Sequence, residues 1–521
     1  MNAKQQNSRS TGEEENVSAL MTNANAIRVI AQAVEGTIGP KGLDTMLMDQ
    51  FGDVVITNDG VTILELMDIN HPAARLLINI AKAQQVEIGD GTTTATILAG
   101  ALVNEGVNQV MKGVPVIKVI EGMRLGIGKA LQVFESRAQA IDELDEPVLR
   151  DVARVAAREN EDIAELVTQA AQVLGKEKLL DPGFKLAENI RAVEGADNQV
   201  VSGVIIEKEP VNVEMPKKLR SVKVLVIDDA LEPEELEDEA LGTETGFSRY
   251  MKLQEEFADN LAKVARLGVG LVLVDRGIHD KAEEICTDAG IMVLQRVPHK
   301  ELQQAAEFTG AKMVKRTGLK KTEAELAQLL GEAAEVRLDE KLKHVCIMGG
   351  KGKAQATVIV GASTKEVVGE RERIAKDAAA AVQAAVKGGI IAGGGAAELA
   401  ISREISALRQ QAKGMAVYGI DCVIEALKEP FAQIVLNAGF NPLEKLGLVV
   451  AAQVEKKNDA LGINCDTGEI ADMQEMGIYD PVLVKKYALK AAGEVAEAVL
   501  RIETIIKKKE QSSVAHPPKD E

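Results

Sequence analysis

The stretch Gly89-Asp90-Gly91-Thr92-Thr93-Thr94 combines residue types suited to holding a phosphate. Glycine tolerates positive φ and lets backbone come close to a ligand. An apolar helical pattern begins at Thr92, so the loop opens a helix whose first N–H groups are unpaired and whose dipole end is positive. The three hydroxyls add donors. Asp90 would repel a bare phosphate, but its place makes sense if a divalent cation sits between its carboxylate and the phosphate oxygens. The stretch reads as a nucleotide-phosphate and Mg²⁺ cradle, with Asp90 as the metal ligand. No Gly-Lys-Ser/Thr follows, so it is not a Walker A loop. Taken alone, the same residues also fit a Gly-rich turn with an N-cap.

Other stretches offer weaker chemistry. Thr37-Ile38-Gly39-Pro40-Lys41-Gly42 reads by itself as a connector between a helix and a strand. Asp59 closes the tight turn Thr57-Asn58-Asp59-Gly60, either as a turn former or as a group that orients water or metal. Gly393-Gly394-Gly395 forms a second glycine cluster. Gly462-Ile463-Asn464-Cys465-Asp466-Thr467-Gly468 reads as strand and turn. Asp377, considered in isolation, is a solvated helical carboxylate.

The elements that must position these groups follow from periodicity. Residues 1–16 are polar and read as disordered. A helix is expected over Val17–Val34, stopping near Gly36. DTMLMD and VVIT form a hairpin across Gln50–Asp53. Helices follow over His71–Glu87, Thr92–Lys112 and Val116–Ala140. The acidic run Asp142–Pro147 marks a boundary. After a further helical region, VKVLVIDDA, GVGLVLVDRG and GIMVLQRV read as buried strands alternating with helices, an α/β arrangement with a parallel portion. LKHVCIMGG and ATVIVGA add strands. Residues 364–387 are a strong helix, and the remainder to about Lys508 is mostly helical.

At 521 residues the chain exceeds a single core, and about two to four domains are expected. Hydrophobic residues make up 46% and charged residues 27%, a globular composition. Aromatic residues are only 2%, so the cores must be aliphatic. The net charge of −19 argues against nucleic-acid binding. The four cysteines lie far apart without a CxxC pair, which suits a reducing, cytoplasmic setting and gives no zinc site. The N-terminus lacks the apolar core of a signal peptide, and no apolar run is long enough for a membrane span.

TIGPKG, ITNDGV, GDGTTTATILA, AGGGAAE and GINCDTGEIADMQEMGIYDPV, in that order and approximate spacing, resemble the chaperonin family. Each piece is weak alone; together they are specific. The resemblance implies an α+β multidomain subunit with the chaperonin fold. A mostly helical equatorial domain (1–142 and 393–521) would bind ATP. A small intermediate domain (143–210 and 361–392) would connect it to an α/β apical domain (211–360) bearing a lid protrusion at about 231–257. Thr37, Ile38, Gly39 and Pro40 would line the phosphate and sugar side of the nucleotide. Asp90 would hold Mg²⁺, and Gly91, Thr92, Thr93 and Thr94 would wrap the phosphates. Gly393 and Gly394 would approach ribose and base, Asn464 would sit beside the base, and Asp480 would accept from the ribose hydroxyls. Asp59 and Asp377 would act near the terminal phosphate, Asp377 by orienting the attacking water. Hinges are expected near Gly203 and Gly361.

The extra segment after the first apical strand resembles the built-in lid of archaeal and eukaryotic-type, group II-like members, a pattern shared by a group III bacterial branch. No separate co-chaperonin lid is then expected. Residues Arg158–Glu161 depart from the archaeal pattern, which puts a lysine phosphate sensor there in doubt. The implied function is an ATP-dependent chaperone that encloses unfolded proteins in two stacked rings of like or paralogous subunits, about eight in each. Ile285 and Leu302 are candidates for client contact, with core packing the alternative. Two other functions compete: a small-molecule kinase with its substrate site in the α/β middle, and a ring scaffold with a vestigial nucleotide site. No substrate pocket is evident for the first, and the joint presence of Asp59, Asp90 and Asp377 argues against the second.

Overall fold

The computed structural model describes residues 3–48, 54–234 and 244–502, with side chains from residue 19 onward apart from that of residue 366. Two compact units result, and the first is assembled from both ends of the chain: residues 1–140 join residues 388–521, while residues 141–387 form the second.

Helices dominate the first unit. The helix Thr92–Met111 is its axis, with Ala95, Leu98, Ala99, Leu102 and Val103 buried in succession. A helix apolar on nearly every side must be surrounded. Around it pack Ala3–Glu35, Pro72–Glu87, Val116–Arg137, Ala416–Ala426 and Val482–Leu500, which share one aliphatic core. Small residues set the spacing. A Cβ on Gly122 would run into the Ala416 carbonyl, and one on Gly419 into the Val119 carbonyl. Val116–Arg137 and Ala416–Ala426 therefore cross with backbones nearly touching. The first helix begins at Ala3 and so takes in the polar stretch expected to be disordered; no proline interrupts that stretch.

The hairpin expected from DTMLMD and VVIT is present, with Thr45–Met48 antiparallel to Val54–Thr57. Its turn, Gln50–Asp53, lies outside the described residues, as does the C-terminal tail.

The second unit carries a six-stranded sheet. Its order is Gly203–Ile206, His344–Met348, Gly331–Asp339, Lys218–Ile227, Val269–Val274, Met292–Leu294. The last three strands run parallel, and the others pair antiparallel. Strand side chains alternate between faces. Val222, Val224 and Val226 pack with Leu302, Ala305 and Phe308 on one face. Leu225 and Ile227 pack with Phe257, Leu261 and Val264 on the other. Leu302 is thus fully enclosed and Ile285 lies against the second core, so both serve packing.

Ile190–Glu194, Thr357–Ala362 and Gln199–Val201 form a separate three-stranded sheet. Gly203 and Gly361, the expected hinges, both lie inside paired strands. A Cβ there would meet the carbonyls of Ile347 and Ala196, respectively, so close backbone approach accounts for each glycine.

Of the expected lid, Leu231 bridges to Ile278, and Glu244–Arg266 is helical. Residues 235–243 lie outside the described residues. Phe257 anchors the helix in the core, whereas Phe247 and Met251 are exposed near its start.

Candidate functional site

The helix Thr92–Met111 starts from Gly91, which adopts φ 79° and ψ 20°, and no side chain caps it. The N–H groups of its first turn are those a helix cannot pair internally, and without a capping side chain they suit an anion. Gly91 is required twice over. Its φ lies in the left-handed region, and a Cβ would strike Cγ1 of Val484. Asp90 turns back onto the loop, its Oδ1 accepting the Gly91 N–H at 2.6 Å. The buried Gln84 amide donates to the Asp90 carbonyl at 2.7 Å and reaches the Val484 carbonyl at 3.4 Å. The N-terminal loop is thereby tied to the helix Val482–Leu500, four hundred residues further along the chain.

Asp59 stands on the other side of this loop. It caps the helix Gly60–Leu66, with Oδ2 accepting the Thr62 N–H at 2.9 Å and the Thr62 hydroxyl at 2.6 Å. Its Oδ1 faces the Thr92 hydroxyl at 3.4 Å. Gly60 abuts Thr93, where a Cβ would come within 2.7 Å of the hydroxyl oxygen. Two carboxylates thus flank an uncapped helix N-terminus. That is a donor set for phosphate oxygens neutralised through a divalent cation.

The C-terminal half contributes the next wall. Ile390–Ala392 pairs antiparallel with Tyr479–Pro481, placing Ile391 opposite Asp480. The Gly393 N–H donates to the Ile478 carbonyl at 2.9 Å. A Cβ on Gly393 would lie 3.1 Å from Cγ of Asp480, so only glycine leaves that carboxylate clear. Gly394, with φ 62°, rests on the sulfur of Met473, which also covers Gly462. Lys485 Nζ pairs with Asp480 Oδ2 at 2.7 Å and with Glu398 Oε1 at 2.6 Å. Burial alone would lower the Lys485 pKa; the two carboxylates outweigh it and hold the amine above the usual lysine range.

The connector Thr37–Gly42 packs against the C-terminal half of the chain. The Thr37 hydroxyl donates to the Val34 carbonyl at 2.9 Å. The Asn437 amide donates to the carbonyls of Glu35 and Ile38 at 2.8 and 2.9 Å. Gly39, at φ 85°, lies on Ile434, with Pro40 following it. Lys41 forms an ion pair with Asp466 at 2.5 Å. Asn464 folds its own turn, with Oδ1 accepting the N–H groups of Asp466 at 2.8 Å and Thr467 at 3.3 Å. Loops from the two chain ends therefore meet through Gly91 and Val484 and again through Lys41 and Asp466.

Residues 30–510 match the family model described as the TCP-1/cpn60 chaperonin family. The chain belongs to the chaperonin family. This chaperonin is 37% identical over 503 residues to a thermosome subunit of Pyrococcus abyssi, covering 93% of this chain and 90% of that one. It is 35% identical over 502 residues to thermosome subunit alpha of Archaeoglobus fulgidus, with coverage of 93% and 91%. Among solved structures it is similar to a group III chaperonin in the open state, with 50% identity and a TM-score of 0.86, covering 95% of this chain and all of that one. Its architecture is group II-like, as the motifs implied, and as a chaperonin it is a chaperone that assists protein folding. Among the described residues, no helix is long and apolar enough to cross a membrane.

Asp377 of this chaperonin belongs to the second unit. Far from being a solvated carboxylate, it is only 9% exposed, and Arg373 donates to its Oδ2 at 2.9 Å. Arg373 is itself paired with Glu370. Arg158 and Glu159, in the segment that departs from the archaeal pattern, adopt φ 53° and 62°. Two consecutive non-glycine residues in the left-handed region form a strained turn.

Glu398, Lys485 and Gln84 were not singled out from the sequence. A signal existed for Lys485. It falls on the apolar stripe Val482, Leu489, Ala492, Ala496 of an otherwise buried helix face, where a lysine needs a partner.

Proposed function

We propose that this chaperonin is an ATP-driven folding chamber, with the nucleotide held by the first unit as an equatorial domain. The observation that carries this reading is the convergence on one uncapped helix N-terminus of Asp59, Asp90 and, through Val484, the segment bearing Asp480. In this reading Gly91, Thr92, Thr93 and Thr94 wrap the phosphates. Asp90 holds Mg²⁺, which when bound neutralises charge on the phosphate oxygens. Thr37, Ile38, Gly39 and Pro40 line the phosphate and sugar side. Gly393 and Gly394 admit ribose and base, Asn464 borders the base, and Asp480 accepts from ribose hydroxyls. Asp59 and Asp377 serve the terminal phosphate. Phosphoryl transfer asks for positioning and charge more than covalent chemistry, so carboxylates and backbone donors suffice.

Because Asp377 is carried by the second unit, hydrolysis is coupled to that unit's movement, and binding energy is committed to a shape change before it is discharged. The second unit comprises the intermediate and apical domains. The segment at about 231–257 is the built-in lid, with Phe247 and Met251 offering apolar surface on an anchored helix. Like or paralogous subunits assemble into two stacked rings, and unfolded chains are enclosed without a separate co-chaperonin.

The test is calorimetric titration with ATP, with and without Mg²⁺, joined to negative-stain images of the particle. Magnesium-dependent binding, and double rings whose ends close with ATP, are expected. A monomer that binds no ATP would refute the proposal.

A further inference from the structure

We propose that Lys485 is a positioning residue for the nucleotide: clamped between Asp480 and Glu398, it fixes the carboxylate that receives the ribose hydroxyls and ties it to the helix behind the glycine loop. The inference rests on the ATP-site reading above and adds to it two residues and a route of selectivity for ribose.

The geometry is specific. Lys485 Nζ lies 2.7 Å from Asp480 Oδ2 and 2.6 Å from Glu398 Oε1. The three side chains form a gradient of exposure, Glu398 at 1%, Lys485 at 9% and Asp480 at 21%. Only Asp480 reaches the surface, and it does so beside Gly393. A Cβ there would crowd its Oδ1 at 3.2 Å. With Oδ2 engaged by the amine, Oδ1 is the oxygen left for a hydroxyl donor. A carboxylate on a free rotor would pay entropy to be ordered by ligand; one held by a buried ammonium has already been ordered.

Glu398 is what makes the clamp firm. It lies in the first turn of the helix Ala396–Gln411, directly after the glycines at 393–395. Its side chain is only 1% exposed, and the Lys485 amine lies against its Oε1. Among the described residues, Lys485 is the one cation paired with it. An isolated buried carboxylate is costly, so Lys485 cannot swing away to solvent without leaving Glu398 uncompensated. The glycine loop and Asp480 are thereby held in one register through a single amine. A purely structural ion pair would have no need of a member at the ligand-facing edge, and packed apolar residues would replace it at no loss.

The test compares ATP with 2′,3′-dideoxy-ATP, which lacks both ribose hydroxyls, by calorimetric titration of the full assembled protein in Mg²⁺. The wild type should prefer ATP by about tenfold, the worth of a hydrogen bond to a charged acceptor. Lys485→Met should bring that ratio near unity by weakening ATP and leaving the dideoxy analogue almost unchanged. Because Lys485→Met strands Glu398, the double variant Lys485→Met/Glu398→Leu is measured beside it, with unfolding temperatures for both. The double variant should regain thermal stability and still fail to discriminate. If it folds and discriminates as the wild type does, Lys485 is structural only and the inference is overturned. Equal binding of both nucleotides by the wild type overturns it as well while leaving the ATP site standing. Binding of neither nucleotide removes both.

Discussion

The hydroxyl of Thr92 lies 3.4 Å from the carboxylate of Asp59, a residue 33 positions earlier in the chain. Asp59 caps one helix, and Thr92 begins another. The contact, with Gly60 packed against Thr93, links the two helix N-termini. A substitution at either residue is felt at both.

Asp59→Ala should therefore have two effects. Loss of the cap costs about 1 kcal/mol of stability, and ATP turnover falls by at least about 100-fold. Asp59→Asn retains a capping oxygen, so its unfolding temperature should stay near the wild type while turnover still drops. Phosphate release and thermal melts of the two variants separate the roles. Wild-type turnover in both would remove Asp59 from the hydrolytic site.

Asp377→Ala should leave ATP affinity within about threefold and slow hydrolysis by about 100-fold or more. Single-turnover phosphate release after calorimetric binding checks it. An unchanged rate would show that the Arg373–Asp377 pair serves only the helix that carries it.

Replacing residues 235–250 by a short Gly-Ser linker should spare ATP turnover and abolish enclosure. The bases of the segment stay intact, since Glu232 and Glu234 keep their ion pairs with Arg316 and Lys320. Protease resistance of a captured unfolded protein in the ATP state is the readout. Full resistance in the variant would count against a built-in lid.

His344 gives a pH prediction for the second unit. It is buried in the six-stranded sheet, and burial lowers its pKa from 6.5 against the opposing charges of Asp339 and Glu207, with Arg337 adding least. The unfolded chain then binds the proton more readily than the folded one. Stability is fully present above the ordinary value of 6.5 and is lost as pH falls from there toward the folded value. His344→Leu should flatten that part of a melting-temperature profile; an unchanged slope would assign it to other groups.

Gly419→Ala should destabilise the first unit by about 1–3 kcal/mol, because the added methyl would enter the Val119 carbonyl at the tight helix crossing. Denaturant melts measure it. A neutral effect would mean that the helices can part without loss.

Much of the fold was legible where local pattern and tertiary environment agree. The short β-branched runs Val222–Ile227 and Val269–Val274 announced buried strands, and the apolar pattern from Thr92 announced a helix. Gly331–Asp339 was not recognised. Its residues GEAAEVRLD favour helix, and only pairing with strands on both sides holds it extended. Ile190–Glu194 and Gln199–Val201 were missed for a similar reason, since each is short and depends on Thr357–Ala362. At the site, the glycine loops were visible because they need glycine locally. Asp59 was visible as a turn acid, but its contact with Thr92 was not. Lys485 and Glu398 were hidden because their meaning lies in a pairing across the fold.

The first unit is stitched from the two termini, with Lys41 bound to Asp466 and Gly91 set against Val484. During synthesis the opening half of that unit leaves the ribosome with its C-terminal partners still unmade, and the whole of residues 141–387 must be translated before they arrive. Until then the side of Thr92–Met111 that Ala416–Ala426 and Val482–Leu500 cover in the finished unit lies open. A chaperone is thus itself unfinished for most of its synthesis, and no copy cut short before Asp480 can gather the complete set of ATP contacts proposed above.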